Sequence, residues 1–131
     1  MKHFIALVHK DPDSAFGISF PDLPSVFSAA DAEDDLTINA IEALRLWAED
    51  EALPNASSYD DLMTREDVRA ELAKGAFLTR IPFIEDDTRI VRANVTFEKG
   101  MLDAIDAAAK ERGLTRSAFL ASAARKDIEA A

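Results

Sequence analysis

At 131 residues, 48% hydrophobic and 31% charged, the chain has the composition of a folded soluble protein rather than a disordered one. Zero cysteines exclude disulfides, thiolate metal sites and thiol redox chemistry, and no stretch approaches the roughly 18 apolar residues of a membrane span. The formal charge of -10 argues against nucleic acid until its distribution is considered: residues 1 to 88 hold seven Lys or Arg against nineteen Asp or Glu, whereas residues 89 to 131 hold eight against six.

That asymmetry, -12 in front and +2 behind, implies a basic partner for the front of the chain and an anionic one for the back. The start, Met1-Lys2-His3-Phe4, runs directly into a strand pattern instead of a signal peptide, so a cytoplasmic location is expected. Residues 3 to 9 and 15 to 20 are short β-prone runs separated by Asp11-Pro12-Asp13-Ser14, a turn cluster suited to a hairpin. Pro21-Asp22-Leu23-Pro24 is expected to break the ladder, and Val26-Phe27-Ser28-Ala29 to form a third strand. From Glu33 to Glu51, Leu36, Ala40, Leu44 and Trp47 recur at helical spacing, with Asp31 at the capping position and acids in the first turn. This helix should cover one face of the sheet.

Residues 54 to 61 read as a loop, and Thr64 with Asp67 as a capping box that opens a short helix through Val68 and Leu72, stopped by Gly75. Residues 76 to 84 have strand composition, and Pro82 assigns them to an edge or a strand end. The acidic run Glu85-Asp86-Asp87 marks the boundary between modules at 1–85 and 86–131.

The second module reads as strand, helix, turn, helix. In RIVRANVTF, Val91, Ala93, Val95 and Phe97 fall on one face and Arg92, Asn94 and Thr96 on the other. Helix 98–112 aligns Leu102, Ile105 and Ala109, Gly113 suits a left-handed C-cap, and Thr115 caps a helix over 116–129 bearing Phe119, Ala123 and Ile128. One strand and two short helices bury too little surface to stand alone. The unit is therefore expected to dimerise by antiparallel pairing of its strand, giving a two-stranded ribbon with an apolar face on four helices and a polar face outward. Such a ribbon fits the DNA major groove, where Arg reads guanine, Asn reads adenine and Thr meets base edges or the thymine methyl. Amides at the start of the second helix, with Thr115, Arg116 and Ser117, are placed to hold a phosphate.

These residues resemble the ribbon-helix-helix family of repressors across RIVRANVTF, the amphipathic helix and Gly113-Leu114-Thr115-Arg116-Ser117-Ala118-Phe119-Leu120. The resemblance implies Arg92, Asn94 and Thr96 as base-reading positions and Thr115, Arg116 and Ser117 as the phosphate anchor. The front of the chain is similar to HicB antitoxins in its Ser19-Phe20-Pro21-Asp22-Leu23-Pro24 segment and in the Asn39-Ala40 and Glu42-Ala43-Leu44 pairs of its helix, with Ala30 standing where that family often has Gly. Together the two resemblances imply an α+β protein. It would comprise an incomplete RNase H-like antiparallel sheet with packed helices and a C-terminal ribbon-helix-helix forming an intertwined dimer. It would neutralise HicA, a small mRNA-cleaving ribonuclease with a double-stranded-RNA-binding-like fold, and repress its own operon at an operator in double-stranded DNA. A homodimer is implied, with a tetramer as a further assembly open to it.

Plainer readings stand beside these. Arg92, Asn94 and Thr96 also fit a solvated strand face, and the carboxylate clusters fit solvated surfaces and helix starts as well as an acidic surface opposing a basic toxin. The Pro-rich segment is either turn chemistry or a rigid loop presenting Leu23 and Phe27 to the toxin. His3 and His9 lack a matched nucleophile or orienting carboxylate in sequence, so neither is assigned catalysis. An RNase H-like nuclease needs carboxylates converging on magnesium from central strands, and residues 3 to 9 and 15 to 20 contain none, so no enzyme activity, metal or cofactor is expected. The alternative function is a ribbon-helix-helix repressor whose front domain senses a ligand or oligomerises.

Overall fold

The computed structural model describes residues 1–130, which form two compact units, Met1–Glu85 and Asp86–Ala130. Ala131, the last residue of the expected second module, lies outside the described residues.

The first unit is built on a four-stranded antiparallel sheet in the order β3-β2-β1-β4. Its strands are β1 (Lys2–Lys10), β2 (Phe16–Phe20), β3 (Leu23–Ala30) and β4 (Phe77–Phe83). The β1–β2 turn is closed by Ser14, whose N–H and hydroxyl both donate to Asp11 O, at 3.2 and 3.0 Å. Asp13 takes a positive φ of 61 there, a conformation a short polar side chain tolerates. Where a break is expected the ladder is irregular rather than ended, its register shifting between the Ser19–Phe27 and Phe20–Leu23 pairs. Phe20 pairs with Leu23 across a two-residue turn, so β3 starts three residues earlier than its composition suggests and runs through Pro24. Because β3 is an edge strand, a residue lacking an N–H can occupy it without costing an internal ladder bond. β4 forms the other edge, which accommodates Pro82.

Alternation along the strands sends Phe4, Ala6, Val8, Ile18, Phe20, Ile81 and Phe83 to one face. There they meet Leu36, Ala40, Ile41 and Leu44 of α1 (Leu36–Ala48) in a single core. Asn39 staples this helix to the edge strand: its side-chain amide donates to Ala29 O at 2.9 Å, and its backbone carbonyl accepts from the Ser28 hydroxyl at 3.2 Å. Asp31 is not the cap. A 3-10 turn, Glu33–Asp35, precedes α1, and neither N-terminus has a side-chain cap. The turn's own bond from Asp35 N–H to Ala32 O, 3.1 Å, satisfies groups that a capping side chain would otherwise serve.

The second face carries a smaller cluster, Ile5 with Leu62 of α2 (Tyr59–Met63) and Val68 of α3 (Glu66–Ala73). The capping box here is Ser58 with Asp61, rather than Thr64 with Asp67, so the expected loop already contains a helix start. Thr64 spends its hydroxyl on Asp61 O at 2.6 Å, closing α2, while Asp67 is held by Arg65 through bonds of 3.0 and 2.6 Å. Gly75, at φ 102, sits in the turn before β4.

In the second unit, α4 (Lys99–Glu111) ends in a turn where Gly113 takes φ 66 and Leu114 N–H reaches Ala109 O at 2.8 Å. α5 (Arg116–Glu129) is capped by the Thr115 hydroxyl, which accepts from Ala118 N–H at 3.1 Å. Residues 89–97 carry no regular secondary structure and have no sheet partner among the described residues. Among the described residues of this unit, only Ile105 and Ala109 are buried.

Candidate functional site

Arg92, Asn94 and Thr96 are exposed and make no hydrogen bond or ion pair among the described residues, whereas Arg89 is tied to Asp87 at 2.7 Å. The apolar residues interleaved with them are also bare: Ile90 is 99% exposed and Val91 83%. At the start of α5, the Thr115 hydroxyl serves Ala118, and the first-turn amides of Arg116 and Ser117 have no partner within the helix. Arg116 itself is engaged. Its Nε and Nη2 donate to the two carboxylate oxygens of Asp106 on α4, each at 2.8 Å. That hydrogen-bonded guanidinium holds the Asp106 carboxyl below the usual range, and the carboxylate in turn raises Arg116. Asp106 carries no signal in the sequence, because its spacing from Arg116 acquires meaning only once the Gly113 turn folds α5 back on α4.

In the first unit, Leu23 cannot present itself to a partner. Paired with Phe20 at the tight turn, it faces the α1 core and is only 2% exposed. Phe27 is 70% exposed. On the second face the cross-strand register aligns Leu78, Leu7, Ser19 and Phe27 in one row across all four strands. Because α2 and α3 pack over Ile5, they leave an opening on either side. One is a groove of about 280 Å³ containing Leu7, Ser19, Pro24 and Phe27, walled by Arg65, Asp67, Val68 and Glu71. The other is a cleft of about 690 Å³ floored by Ile5 and Leu78, with His3, Arg80 and Tyr59 at its polar sides. The loop bordering this cleft is anchored by Asp22, which accepts from Ser57 N–H at 2.7 Å and from its hydroxyl at 2.6 Å.

His9 lies 3.6 Å from Glu71, a contact between two partly exposed side chains and not a catalytic dyad. No group of three or more His, Asp or Glu gathers to hold a metal among the described residues. None of the described helices is long and apolar enough to cross a membrane.

A family model described as HicB_like antitoxin of bacterial toxin-antitoxin system matches residues 4–124. Among solved structures, the Burkholderia pseudomallei antitoxin HicB is 30% identical, with 97% of this chain and 96% of that chain covered at a TM-score of 0.52. Antitoxin HicB3 is 27% identical over 96% of this chain and 97% of that one, with a TM-score of 0.53. A chain of the HicA3 and HicB3 toxin-antitoxin complex shares the fold at 21% identity and a TM-score of 0.50, covering 63% of this chain and 99% of that one. No curated protein sequence matches. The mixed α+β architecture, a four-stranded antiparallel sheet with several helices, is that of the HicB structures.

Proposed function

The chain belongs to the HicB-like antitoxin family, whose members neutralise toxins and are not enzymes, and we propose that it inhibits a HicA-like mRNA-cleaving toxin through its first unit and represses its own operon through its second. Its strongest support is the match to a HicB-like family over residues 4–124, which spans both units. The solved HicA3 and HicB3 complex supports a HicA-like partner. The charge of -12 over residues 1 to 88 favours a basic, RNA-binding partner and speeds encounter with it. In this reading the four-stranded sheet is an incomplete RNase H-like sheet without catalytic carboxylates, and Phe27 is a toxin contact.

For the second unit, the reading is a ribbon-helix-helix that pairs residues 89–97 with those of a second copy. The exposed Ile90, Val91 and Val95 and the near absence of buried residues support it, because a unit this small leaves too much apolar surface in water unless a partner covers it. Arg92, Asn94 and Thr96 then face the major groove, and Thr115, Arg116 and Ser117 hold the flanking phosphate. The second reading, a ligand-sensing repressor, is favoured by the 690 Å³ cleft, whose size suits a small molecule.

Co-expression of the full chain with the small open reading frame beside its gene separates the two. Restored growth and halted mRNA cleavage support the antitoxin. A harmless neighbour, or one that the chain does not restrain, leaves the ligand-sensing repressor.

A further inference from the structure

The cleft on the β4 side of the second sheet face differs in chemistry from the chain around it. Residues 1 to 88 hold nineteen Asp or Glu, yet no acidic residue lines this cleft, whereas Asp67 and Glu71 line the groove on the β3 side. Alternation along β1 and β4 sends His3, Ile5, Leu78 and Arg80 to this face, with Arg80 directly across the ladder from Ile5. Ile5 is buried and Leu78 half-buried, which makes the floor apolar. Arg80 is exposed and makes no hydrogen bond or ion pair among the described residues. Tyr59, the first residue of α2, brings an exposed ring from the other side. The α2 wall is fixed before anything binds. Ser57 is tied to Asp22 by bonds of 2.7 and 2.6 Å, and Ser58 caps α2 by accepting from Asp61 N–H at 3.1 Å, which leaves the Ser58 hydroxyl proton free to donate.

We propose that this cleft binds a small, flat, apolar monocarboxylate, its body on Ile5 and Leu78 beside the Tyr59 ring and its carboxylate on the Arg80 guanidinium. The volume of about 690 Å³ lies within the range of small-molecule sites. A guanidinium presents paired N–H donors that match the two oxygens of a carboxylate, and His3 supplies a ring N–H in either protonation state. Charge chooses carboxylate over phosphate. The cleft offers one fixed cation in a stretch carrying -12 over residues 1 to 88, so it balances one negative charge, and the second charge of a phosphate monoester meets only repulsion. The cleft shares no lining residue with the Phe27 groove, so the assignment goes beyond toxin binding and does not rest on it. It names a ligand class for the ligand-sensing repressor and is equally compatible with an antitoxin, so the co-expression result and the binding result are separate.

The test is calorimetric titration of the full chain with naphthylacetate and with its neutral counterpart naphthylethanol, for wild type, Arg80→Gln, Arg80→Lys, Tyr59→Ala and, as a control on exposed apolar surface elsewhere, Leu46→Ala. Arg80, Tyr59 and Leu46 are exposed, so their replacements leave both core clusters untouched. The expected result is saturable binding of naphthylacetate, weakened about tenfold by Arg80→Gln, less by Arg80→Lys, about fivefold by Tyr59→Ala and less than about twofold by Leu46→Ala. Naphthylethanol should bind wild type about tenfold more weakly than naphthylacetate and be indifferent to Arg80→Gln. Naphthylacetate affinity that is unchanged in Arg80→Gln and Tyr59→Ala overturns the site. Equal affinity for naphthylacetate and naphthylethanol reveals an apolar surface without carboxylate recognition and overturns the ligand class. Absence of saturable binding by wild type overturns both, and leaves the antitoxin reading to its own test.

Discussion

Asp106 and Arg116, ten residues apart on consecutive helices, are locked in a two-pronged ion pair with both bonds at 2.8 Å. The pair braces the α4–α5 corner and occupies the guanidinium that the DNA-binding reading assigns to phosphate. A phosphate therefore competes with Asp106 for the same donors. Asp106→Asn is expected to raise operator affinity, since it frees the Arg116 guanidinium for phosphate and removes a carboxylate from the same corner. Electrophoretic mobility shift over a salt series measures this. A fall in affinity would assign Asp106 to positioning Arg116 rather than restraining it.

Base reading and toxin inhibition should be separable. Arg92→Ala and Asn94→Ala are each expected to cost about 1–3 kcal/mol of sequence-specific binding, while dimerisation and toxin inhibition persist. Binding of operator and scrambled duplexes, alongside an mRNA-cleavage assay, distinguishes loss of reading from loss of fold. Inhibition lost together with DNA binding would contradict the division of labour between the two units.

Assembly should depend on residues 89–97. Val95→Asp puts a charge where the ribbon needs an apolar face, so sedimentation is expected to show monomers at concentrations where wild type is dimeric, and operator binding should disappear. A Val95→Asp variant that remains dimeric would rule out the ribbon pairing.

Ser58→Ala should destabilise the first unit by about 1 kcal/mol, because the Ser58–Asp61 capping box is removed. Thr64→Ala removes no capping box and should cost less, as thermal unfolding of the two variants will show. Equal losses would mean that the reciprocal bonds of the Ser58 box add nothing.

The Thr64 comparison also indicates what was legible in the sequence. Ser58-x-x-Asp61 and Thr64-x-x-Asp67 have the same spacing, and the choice between them depends on contacts distant in sequence, such as Arg65 reaching Pro21 O. Strands β1 and β2, helix α1 and the two C-terminal helices were readable because apolar periodicity of two or 3.6 persists through them. Leu23 was not: its proline flanks suggest a loop, and only the pairing of Phe20 with Leu23 turns it inward. The exposure of Phe27 accords with its place after the Pro-rich turn, but the groove beside it is walled by α3, some forty residues further along the chain.

Acid should loosen the α4–α5 corner. The Asp106 carboxyl is held low chiefly by its hydrogen bond to Arg116, so its contribution to stability is fully present above the usual carboxylate range and is lost as pH falls through the lowered value. Asp67 behaves alike with Arg65. Both groups are exposed, so the effect is small. It should appear as a flatter acid limb of the Tm profile in Asp106→Asn than in wild type, and identical limbs would contradict it.

The most direct measurement is mRNA cleavage by the purified neighbouring toxin, titrated with the full chain and with its Arg92→Ala, Asn94→Ala double variant. Both proteins should abolish cleavage near stoichiometric ratio, with only wild type shifting operator DNA. Cleavage that continues undiminished in excess wild-type protein would contradict toxin neutralisation by this chain.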